Sequence, residues 1–288
     1  MDALHISVIG TGTLGEAVAR RLLDRGFPVS VWNRTHSRAL PLASAGARVC
    51  RTPTEAVTGA DVVITLLFDA AAVLDVMGDA WSGVSASVVW MQSSTVGVKG
   101  SREIAELARA RGIRCVDAPV LGTRGPALEG TLTALLAGAD EDVARLDPVL
   151  QALCTHRTVA GSAAPAASAL KLAMNTWIAA LTAGAAQAMA VAERLGVREE
   201  LVLDALSGTG MTSPYIQGKG AAMLRQDYPV QFSVDALAKD LHLALRETPG
   251  QAPMLLTALA GLFQEAVASG HGADDIAAVR ESFGHSVG

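Results

Sequence analysis

Short apolar runs alternate with amphipathic stretches through the first half of the chain. The apolar runs, which predict β-strands, lie at residues 5–9, 29–33, 47–49, 62–67, 88–91, 114–117, 132–136 and 156–160. Helical periodicity lies between them, at residues 16–23, from about 37, and at 70–77, 101–111 and 142–153. Strands that alternate with helices form parallel βαβ units, so this pattern predicts an α/β fold with a doubly wound sheet.

After about Gly161 the remaining chain shows helical periodicity alone. A long helix rich in Ala, Leu and Met is predicted over about 165–195, with Pro165 in its first turn and Ser162 as a nearby cap. Further helices are predicted at residues 198–206, 215–224, 233–247, 254–269 and 274–282. We therefore expect two domains, an α/β domain over 1–162 and an all-α helical domain over 163–288 that begins with the long helix.

The first strand runs directly into a glycine-rich loop, whose members are Gly10, Thr11, Gly12, Thr13, Leu14 and Gly15. The pattern GxGxxG between a strand and a helix is the dinucleotide-binding fingerprint. Gly10 allows the tight turn, Gly12 lets the backbone approach a pyrophosphate, and Gly15 lets the helix pack closely on the strand. The free N–H groups at the helix start then meet the phosphate charge. The first domain is therefore predicted to be a Rossmann domain that binds a dinucleotide through this loop.

The residues that follow the second strand indicate which dinucleotide is preferred. NAD-preferring domains carry Asp or Glu there, whereas NADP-preferring domains place Arg near the 2′-phosphate. This chain has Asn33, Arg34 and Thr35, with Arg38 one turn further on. A guanidinium suits phosphate because its planar fork donates two parallel charged hydrogen bonds. We therefore predict NADP(H), bound by these residues, with NAD(H) as the alternative if the turn is only a solvated basic surface.

Composition narrows the choice of partner and compartment. Half of the residues are apolar and 18% are charged, as in a well-buried globular protein. The net charge of −5 argues against nucleic acid or an anionic membrane as the main partner. Three widely spaced cysteines and six scattered histidines indicate no disulfide framework and no metal site. We expect a protein of the reducing cytoplasm that acts on a small molecule.

One uncharged segment, residues 172–192, is about long enough to cross a bilayer. It contains Asn175, Thr176, Thr182 and Gln187, and charged helical sequence flanks it. A helix that is apolar nearly all round also occurs in the interior of large globular proteins. We therefore expect a buried helix rather than a membrane span, and its apolar surface predicts a homodimer or a higher homo-oligomer.

Lys171 and Asn175 lie four residues apart near the start of the long helix, so their side chains share one face. Their neighbours Leu170, Leu172 and Met174 are apolar. A lysine in such surroundings loses solvation of its charged form, which lowers its pKa toward the working pH and suits general acid/base chemistry. From these residues alone, a lysine whose amine reaches water at an interface is an equally good interpretation.

Five motifs occur in an order that resembles one enzyme family. They are the loop 10–15, Ser94-Thr95-Val96, Asp117-Ala118-Pro119-Val120, Lys171 with Asn175, and Phe232 followed by Lys239-Asp240-Leu241. The segment 270–275, Gly-His-Gly-Ala-Asp-Asp, resembles the closing motif of the same family. Over essentially its whole length the chain resembles the β-hydroxyacid dehydrogenases, which include 3-hydroxyisobutyrate dehydrogenases and tartronate semialdehyde reductases.

The resemblance implies an NADP(H)-dependent oxidoreductase that transfers hydride between nicotinamide and a β-hydroxyacid or semialdehyde. It implies that Lys171 is the general acid/base and that Asn175 orients the substrate beside it. Further contacts are implied to the cofactor by Leu67, Phe68, Thr95 and Lys239, and to the substrate by Ser94, Leu121, Gly122 and Thr123. Leu66 belongs to the same loop as Leu67, but we expect it to pack in the core of the sheet.

One position departs from the pattern of the family. Where the family has Ser-Gly-Gly after Asp-Ala-Pro-Val, this chain has Leu121, Gly122 and Thr123. Leu121 removes a hydroxyl group and makes that wall apolar, unless Thr123 supplies a hydroxyl in its place, so a small polar hydroxyacid is not the expected substrate. Arg124 follows directly and is either an anion partner or a surface arginine.

Two other functions are compatible with the same architecture. Imine reductases resemble it but generally lack the helix lysine, so Lys171 counts against that function. Non-catalytic NADP-binding relatives recruited for protein interaction tend to have lost the lysine too. The sequence therefore favours the dehydrogenase, without identifying its substrate or its physiological direction.

Overall fold

The structure, a computed structural model, describes residues 4–78, 80–81 and 84–284. The chain divides into two compact units, Met1–Lys171 and Leu172–Gly288. The division falls inside one long helix, Ala166–Arg194. The first unit contains a largely parallel sheet with helices and the second is helical, which confirms the predicted fold class.

Among the described residues, the first unit forms a nine-stranded sheet. Its strands are β1 (Ile6–Ile9), β2 (Val29–Trp32), β3 (Arg48–Val49), β4 (Val62–Thr65), β5 (Val89–Gln92), β6 (Arg114–Asp117), β7 (Val120–Leu121), β8 (Leu132–Ala137) and β9 (Cys154–Gly161). The strand order is β3-β2-β1-β4-β5-β6-β8-β7, and β9 pairs with β8. From β3 to β6 all neighbours are parallel, so the carboxyl ends of β1, β4, β5 and β6 meet at one edge.

The central strands are buried on both faces of the sheet. Along β4, Ile64 lies in one apolar cluster and Val63 lies in the other. Along β5, Met91 and Trp90 divide in the same way. A parallel sheet covered by helices on both sides has no polar face, which is why these strands appear in the sequence as unbroken apolar runs.

The connections of the first unit correct several expectations. Its helices are α1 (Thr13–Asp24), α2 (Pro53–Val57), α3 (Ala70–Met77), α4 (Gly97–Ala110), α5 (Arg124–Glu129), α6 (Asp140–Arg145) and α7 (Asp147–Leu153). The helix expected from about residue 37 is wrong, since two 3₁₀ turns, His36–Arg38 and Leu40–Ala45, replace it. Pro41 has no N–H group to donate to an α-helix there. The helix expected at 142–153 is interrupted and forms α6 and α7, with Pro148 in the first turn of α7.

The last part of the sheet is mixed rather than parallel. Strand β8 runs antiparallel to both β6 and β7 and parallel to β9. Strand β7 and helices α2 and α5 were not predicted, because elements of two to six residues are too short to show a period.

The second unit confirms the predicted helical half of the chain. After α8 (Ala166–Arg194) come α9 (Glu200–Ser207), α10 (Pro214–Arg225), α11 (Val234–Glu247) and α12 (Met254–Ala266). The helix expected at 254–269 ends as a π-helical turn, Val267–His271, and the one expected at 274–282 is a 3₁₀ helix, Ile276–Phe283. Arg280 is fully buried there and is neutralised by Glu193 at 2.6 Å and Glu199 at 2.5 Å.

Helix α8 carries polar residues on its buried face. Ser168, Lys171, Asn175 and Thr182 are all buried and are spaced by three, four and seven residues, which places them along one stripe. Within the described part of the chain, no helix, α8 included, combines the length and hydropathy that crossing a bilayer requires. The opposite side of α8 exposes Trp177.

Candidate active site

The three glycines of the loop between β1 and α1 have different surroundings. Gly10 has a φ of +100°, and a Cβ atom there would collide with the carbonyl oxygen of Leu66. A Cβ atom on Gly15 would collide with the carbonyl oxygen of Gly10. Above Gly12, in contrast, a Cβ atom would meet nothing within 4 Å. Two glycines therefore let the chain pack closely, and the third leaves open space at the start of α1.

Polar groups with unused bonding capacity surround this space. Helix α1 begins at Thr13, and its N-cap residue Gly12 provides no side-chain cap for the first N–H groups. The hydroxyl oxygen of Thr11 is buried and has no hydrogen-bond partner among the described residues. Uncapped N–H groups and a free hydroxyl at a helix N-terminus suit the oxygens of a phosphate. The loop therefore fits the pyrophosphate of a dinucleotide.

The turn after β2 is connected to this loop by Asn33. Its Oδ1 accepts a hydrogen bond from Thr11 N at 3.0 Å, and its Nδ2 donates to Thr35 O at 3.0 Å. Arg34 and Arg38 are exposed, and neither forms an ion pair with any described residue. The turn thus places two positive charges that the described chain does not neutralise beside the glycine loop.

The loops after β4 and β5 are joined by a buried hydrogen-bond network around Gln92. Gln92 Oε1 accepts from Ser94 N at 2.9 Å and from Thr65 Oγ1 at 3.1 Å, while its Nε2 donates to Ser94 O at 2.9 Å. Ser94 Oγ in turn accepts from Leu67 N at 2.8 Å. One glutamine side chain therefore fixes the distance between the two loops. No sequence motif indicates this role for Gln92.

The residues expected at the cofactor in these loops differ in exposure. Phe68 is 56% exposed, and Thr95 is partly buried at the end of the β5 loop. Leu66 and Leu67 are partly buried and pack against the two core clusters of the sheet. Ser94, expected at the substrate, is buried, and its hydroxyl holds the Leu67 backbone.

The segment after β7 contains a glycine in a left-handed conformation that packs closely against the chain. Gly122 has a φ of +117°, and a Cβ atom there would lie 2.6 Å from Leu132 Cδ2. Thr123 is the N-cap residue of α5. Arg124 Nη2 lies 3.5 Å from Glu16 Oε2, so its guanidinium already faces a carboxylate of α1.

Leu121 lies against the start of α8. Leu121 and Leu170 both pack on a small buried cluster, which contains Leu135, Ala137 and Ala167. Lys171 follows Leu170 directly and is 8% exposed. The apolar residue that replaces the serine of the family is therefore part of the packing that surrounds the first turns of α8.

In the second unit, Asn175 belongs to a buried polar cluster. Asn175 Nδ2 donates to Asp240 Oδ2 at 2.6 Å, and Lys239 Nζ lies 2.6 Å from Asp240 Oδ1. Asn175 is fully buried, and its Oδ1 has no hydrogen-bond partner among the described residues. The sequence motif that contains Asp240 indicates no such role, yet Asp240 orients the amide so that the unpaired atom of Asn175 is an acceptor.

The family models that match the chain cover nearly all of it. Residues 5–161 match the NAD-binding domain of 6-phosphogluconate dehydrogenase. Residues 165–282 match the NAD-binding model of NADP-dependent 3-hydroxyisobutyrate dehydrogenase. These two descriptions agree with the resemblance on which the sequence interpretation depends.

Individual relatives extend this agreement. Glyoxylate/succinic semialdehyde reductase 1 from Arabidopsis thaliana is 31% identical over 97% of this chain and 98% of its own. The crystal structure of a 3-hydroxyisobutyrate dehydrogenase from Salmonella typhimurium superposes with a TM-score of 0.88 at 25% identity, over 96% of this chain and 99% of that one. An imine reductase from Pseudomonas sp. shares the fold, with a TM-score of 0.66 at 24% identity over 98% of this chain and 99% of that one. The chain belongs to the β-hydroxyacid dehydrogenase family and is an NAD(P)-dependent oxidoreductase that acts on CH–OH groups.

Proposed function

We propose that the protein uses NADP(H) to interconvert a β-hydroxyacid and its semialdehyde, with Lys171 as the general acid/base. The observation that carries this proposal is the burial of Lys171 on the polar stripe of α8, one helical turn before Asn175. A buried amine on the same helix face as a polar side chain that can orient a substrate suits general acid/base chemistry.

The bound nicotinamide would supply or accept the hydride at the carbon. In reduction, Lys171 Nζ donates a proton to the carbonyl oxygen; in oxidation, the neutral amine takes the proton from the hydroxyl group. Asn175 presents Oδ1 as an acceptor, because Asp240 already holds its Nδ2. That acceptor suits a donor group on the substrate, such as a hydroxyl.

We assign the cofactor preference to the turn after β2. In NAD-preferring domains an Asp or Glu carboxylate accepts hydrogen bonds from the ribose hydroxyl groups. Asn33 cannot replace that carboxylate, because its Oδ1 already accepts a hydrogen bond from Thr11 N. Arg34 and Arg38 are exposed beside it and suit a 2′-phosphate. These features support NADP(H) over NAD(H).

We further propose that the substrate has an apolar flank. Leu121 provides no hydroxyl group to a carboxylate, and it packs on the same apolar cluster as Leu170, the residue before Lys171. A pocket that lacks a hydrogen-bonding partner discriminates against small polar substrates.

The domain bounds of 1–162 and 163–288, the cytoplasmic location and a homodimer or higher oligomer stay predictions. The exposed side chains of Trp177 and Val191 on α8, and of Leu195 directly after it, support an interface between copies of the chain.

The proton-transfer role is tested by Lys171→Ala. We expect kcat to fall by about 10³-fold or more, because general acid/base catalysis contributes ~10²–10⁴-fold, while NADPH affinity stays within about two-fold. Lys99→Ala, at an exposed lysine of α4, is the matched control. A Lys171→Ala enzyme with the wild-type kcat would contradict the proposal.

The reaction class is tested by an NADPH-absorbance assay with aldehydes, 3-hydroxyacids and cyclic imines. Turnover of semialdehydes or 3-hydroxyacids supports the proposal, and a strong preference for cyclic imines would favour the imine reductase instead. Within the active class, substrates with an apolar flank should give the higher kcat/KM.

A further inference from the structure

One buried carboxyl group of the first unit has no part in the site described so far. Asp117 is the last residue of β6 and is only 2% exposed. Its Oδ2 accepts from Ser168 N at 2.8 Å, and its Oδ1 accepts from Ser168 Oγ at 2.6 Å. Hydrogen bonds also come from the Ser101 side chain and from the Ala167 backbone. A carboxyl group with this many donors holds a fixed orientation.

The group that Asp117 holds is the first turn of α8. Ala167 and Ser168 directly follow the first residue of the helix, Ala166, where backbone N–H groups have no partner within the helix. A carboxylate at this end satisfies those groups and interacts favourably with the helix dipole. Asp117 also pairs in register with Gln92 of β5. The start of α8 is therefore tied to the edge of the sheet that carries the loops after β4 and β5.

Burial of this carboxyl group is costly. Desolvation raises the pKa of Asp117 even though the bonds from Ser168, Ser101 and Ala167 lower it. A charged form that is disfavoured in the folded protein reduces stability at neutral pH.

We propose that Asp117 is a positioning residue that sets the location of the Lys171 amine. This inference rests on the proposed role of Lys171 in proton transfer. Lys171 follows Ser168 by three residues on the same buried stripe of α8. A shift or rotation of the helix at Ser168 is transmitted to Lys171, because an α-helix turns by ~100° per residue. Proton transfer needs heavy atoms about 2.6–3.2 Å apart, and a misplacement of ~1 Å costs ~10²-fold.

The test compares Asp117→Ala with Asp117→Asn. In Asp117→Ala, kcat should fall by about 10- to 100-fold while KM for NADPH changes by less than about two-fold, since the chemical step is affected and the glycine loop is not. Asp117→Asn should recover most of kcat, because its oxygen accepts from Ser168 N and its amide donates to the Ser168 hydroxyl. Ser168→Ala keeps the backbone bond and should lower kcat by a few-fold. It remains decisive if Asp117→Ala does not fold.

Asp61→Ala is the matched control. Asp61 Oδ2 accepts from His5 N at 2.8 Å, where β1 and β4 begin at the opposite edge of the same sheet. Equal loss of kcat in Asp61→Ala and Asp117→Ala would overturn the inference, because it would show a general effect of stability. An unchanged kcat in Asp117→Ala or, if that variant does not fold, in Ser168→Ala would overturn it too. If Lys171→Ala keeps the wild-type kcat, the proposed role of Lys171 is wrong, independently of the result for Asp117.

Discussion

Two helices that begin in the first unit, α1 and α8, start in opposite ways. At the start of α1 the N-cap residue is Gly12, with no side-chain cap and open space above it. At the start of α8 the carboxyl group of Asp117 bonds to Ser168. The first N–H groups of a helix have no acceptor within the helix. In α1 they are left for a ligand, whereas in α8 the chain itself provides the acceptor. The first arrangement suits binding, and the second suits holding a side chain in place.

The largest expected change in NADPH affinity comes from making the start of α1 resemble that of α8. In Gly12→Asp, a carboxylate would cap α1 itself and repel a phosphate, so NADPH affinity should fall by about 100-fold or more. The fold should be retained, because Gly12 has an ordinary φ of −69° and a Cβ atom would meet nothing within 4 Å. Binding is measured by NADPH fluorescence and stability by thermal unfolding.

Gly12→Asn controls for the size of the new side chain without its charge. We expect it to weaken NADPH binding less than Gly12→Asp does. NADPH affinity equal to wild type in Gly12→Asp would show that the start of α1 does not bind the phosphates.

A smaller effect is expected at the basic turn beside α1. Arg34→Ala should weaken NADPH by about 10- to 100-fold and NADH by less than about three-fold, because a charge-assisted bond to phosphate contributes ~1.5–3 kcal/mol. Arg25→Ala, an exposed arginine at the other end of α1, is the control. Equal losses for the two cofactors in Arg34→Ala would remove the support for a 2′-phosphate site.

The smallest expected effect is on the pH dependence of stability, and it comes from the Asp117 carboxyl group at the start of α8. Burial raises the pKa of Asp117, so the folded protein keeps this proton at pH values where the unfolded chain has lost it. The folded state then binds more protons, and the free energy of unfolding falls as pH rises from about 4 through the raised pKa. Asp117→Asn should lack this contribution.

Urea unfolding of wild type and Asp117→Asn at a series of pH values measures that difference. The stability of wild type relative to the variant should decrease with rising pH. Ser168→Ala should move the decrease to higher pH, because the Ser168 hydroxyl bond lowers the pKa of Asp117. A constant or increasing difference would contradict this account.

Much of the fold was predictable from local pattern. The strand 114–117 and the helix 70–77 have the bounds that the sequence predicts. The errors lie where the pattern is short or interrupted, as at β7 and at the 3₁₀ turn Leu40–Ala45. Pro41 interrupts the helical period in that turn, and the two residues of β7 are too few to show a period.

For the candidate site, the sequence by itself determined the glycine loop, the basic turn and the pair formed by Lys171 and Asn175, since each depends on residues close together in the chain. Only the tertiary structure decided which hydrogen-bond partners hold these residues in place. Asp117 meets Ser168 across 51 residues of sequence, and Asn175 meets Asp240 across 65. Periodicity shows which face of an element is buried, but hydrogen-bond partners are fixed by the packing of distant elements, which no local pattern specifies.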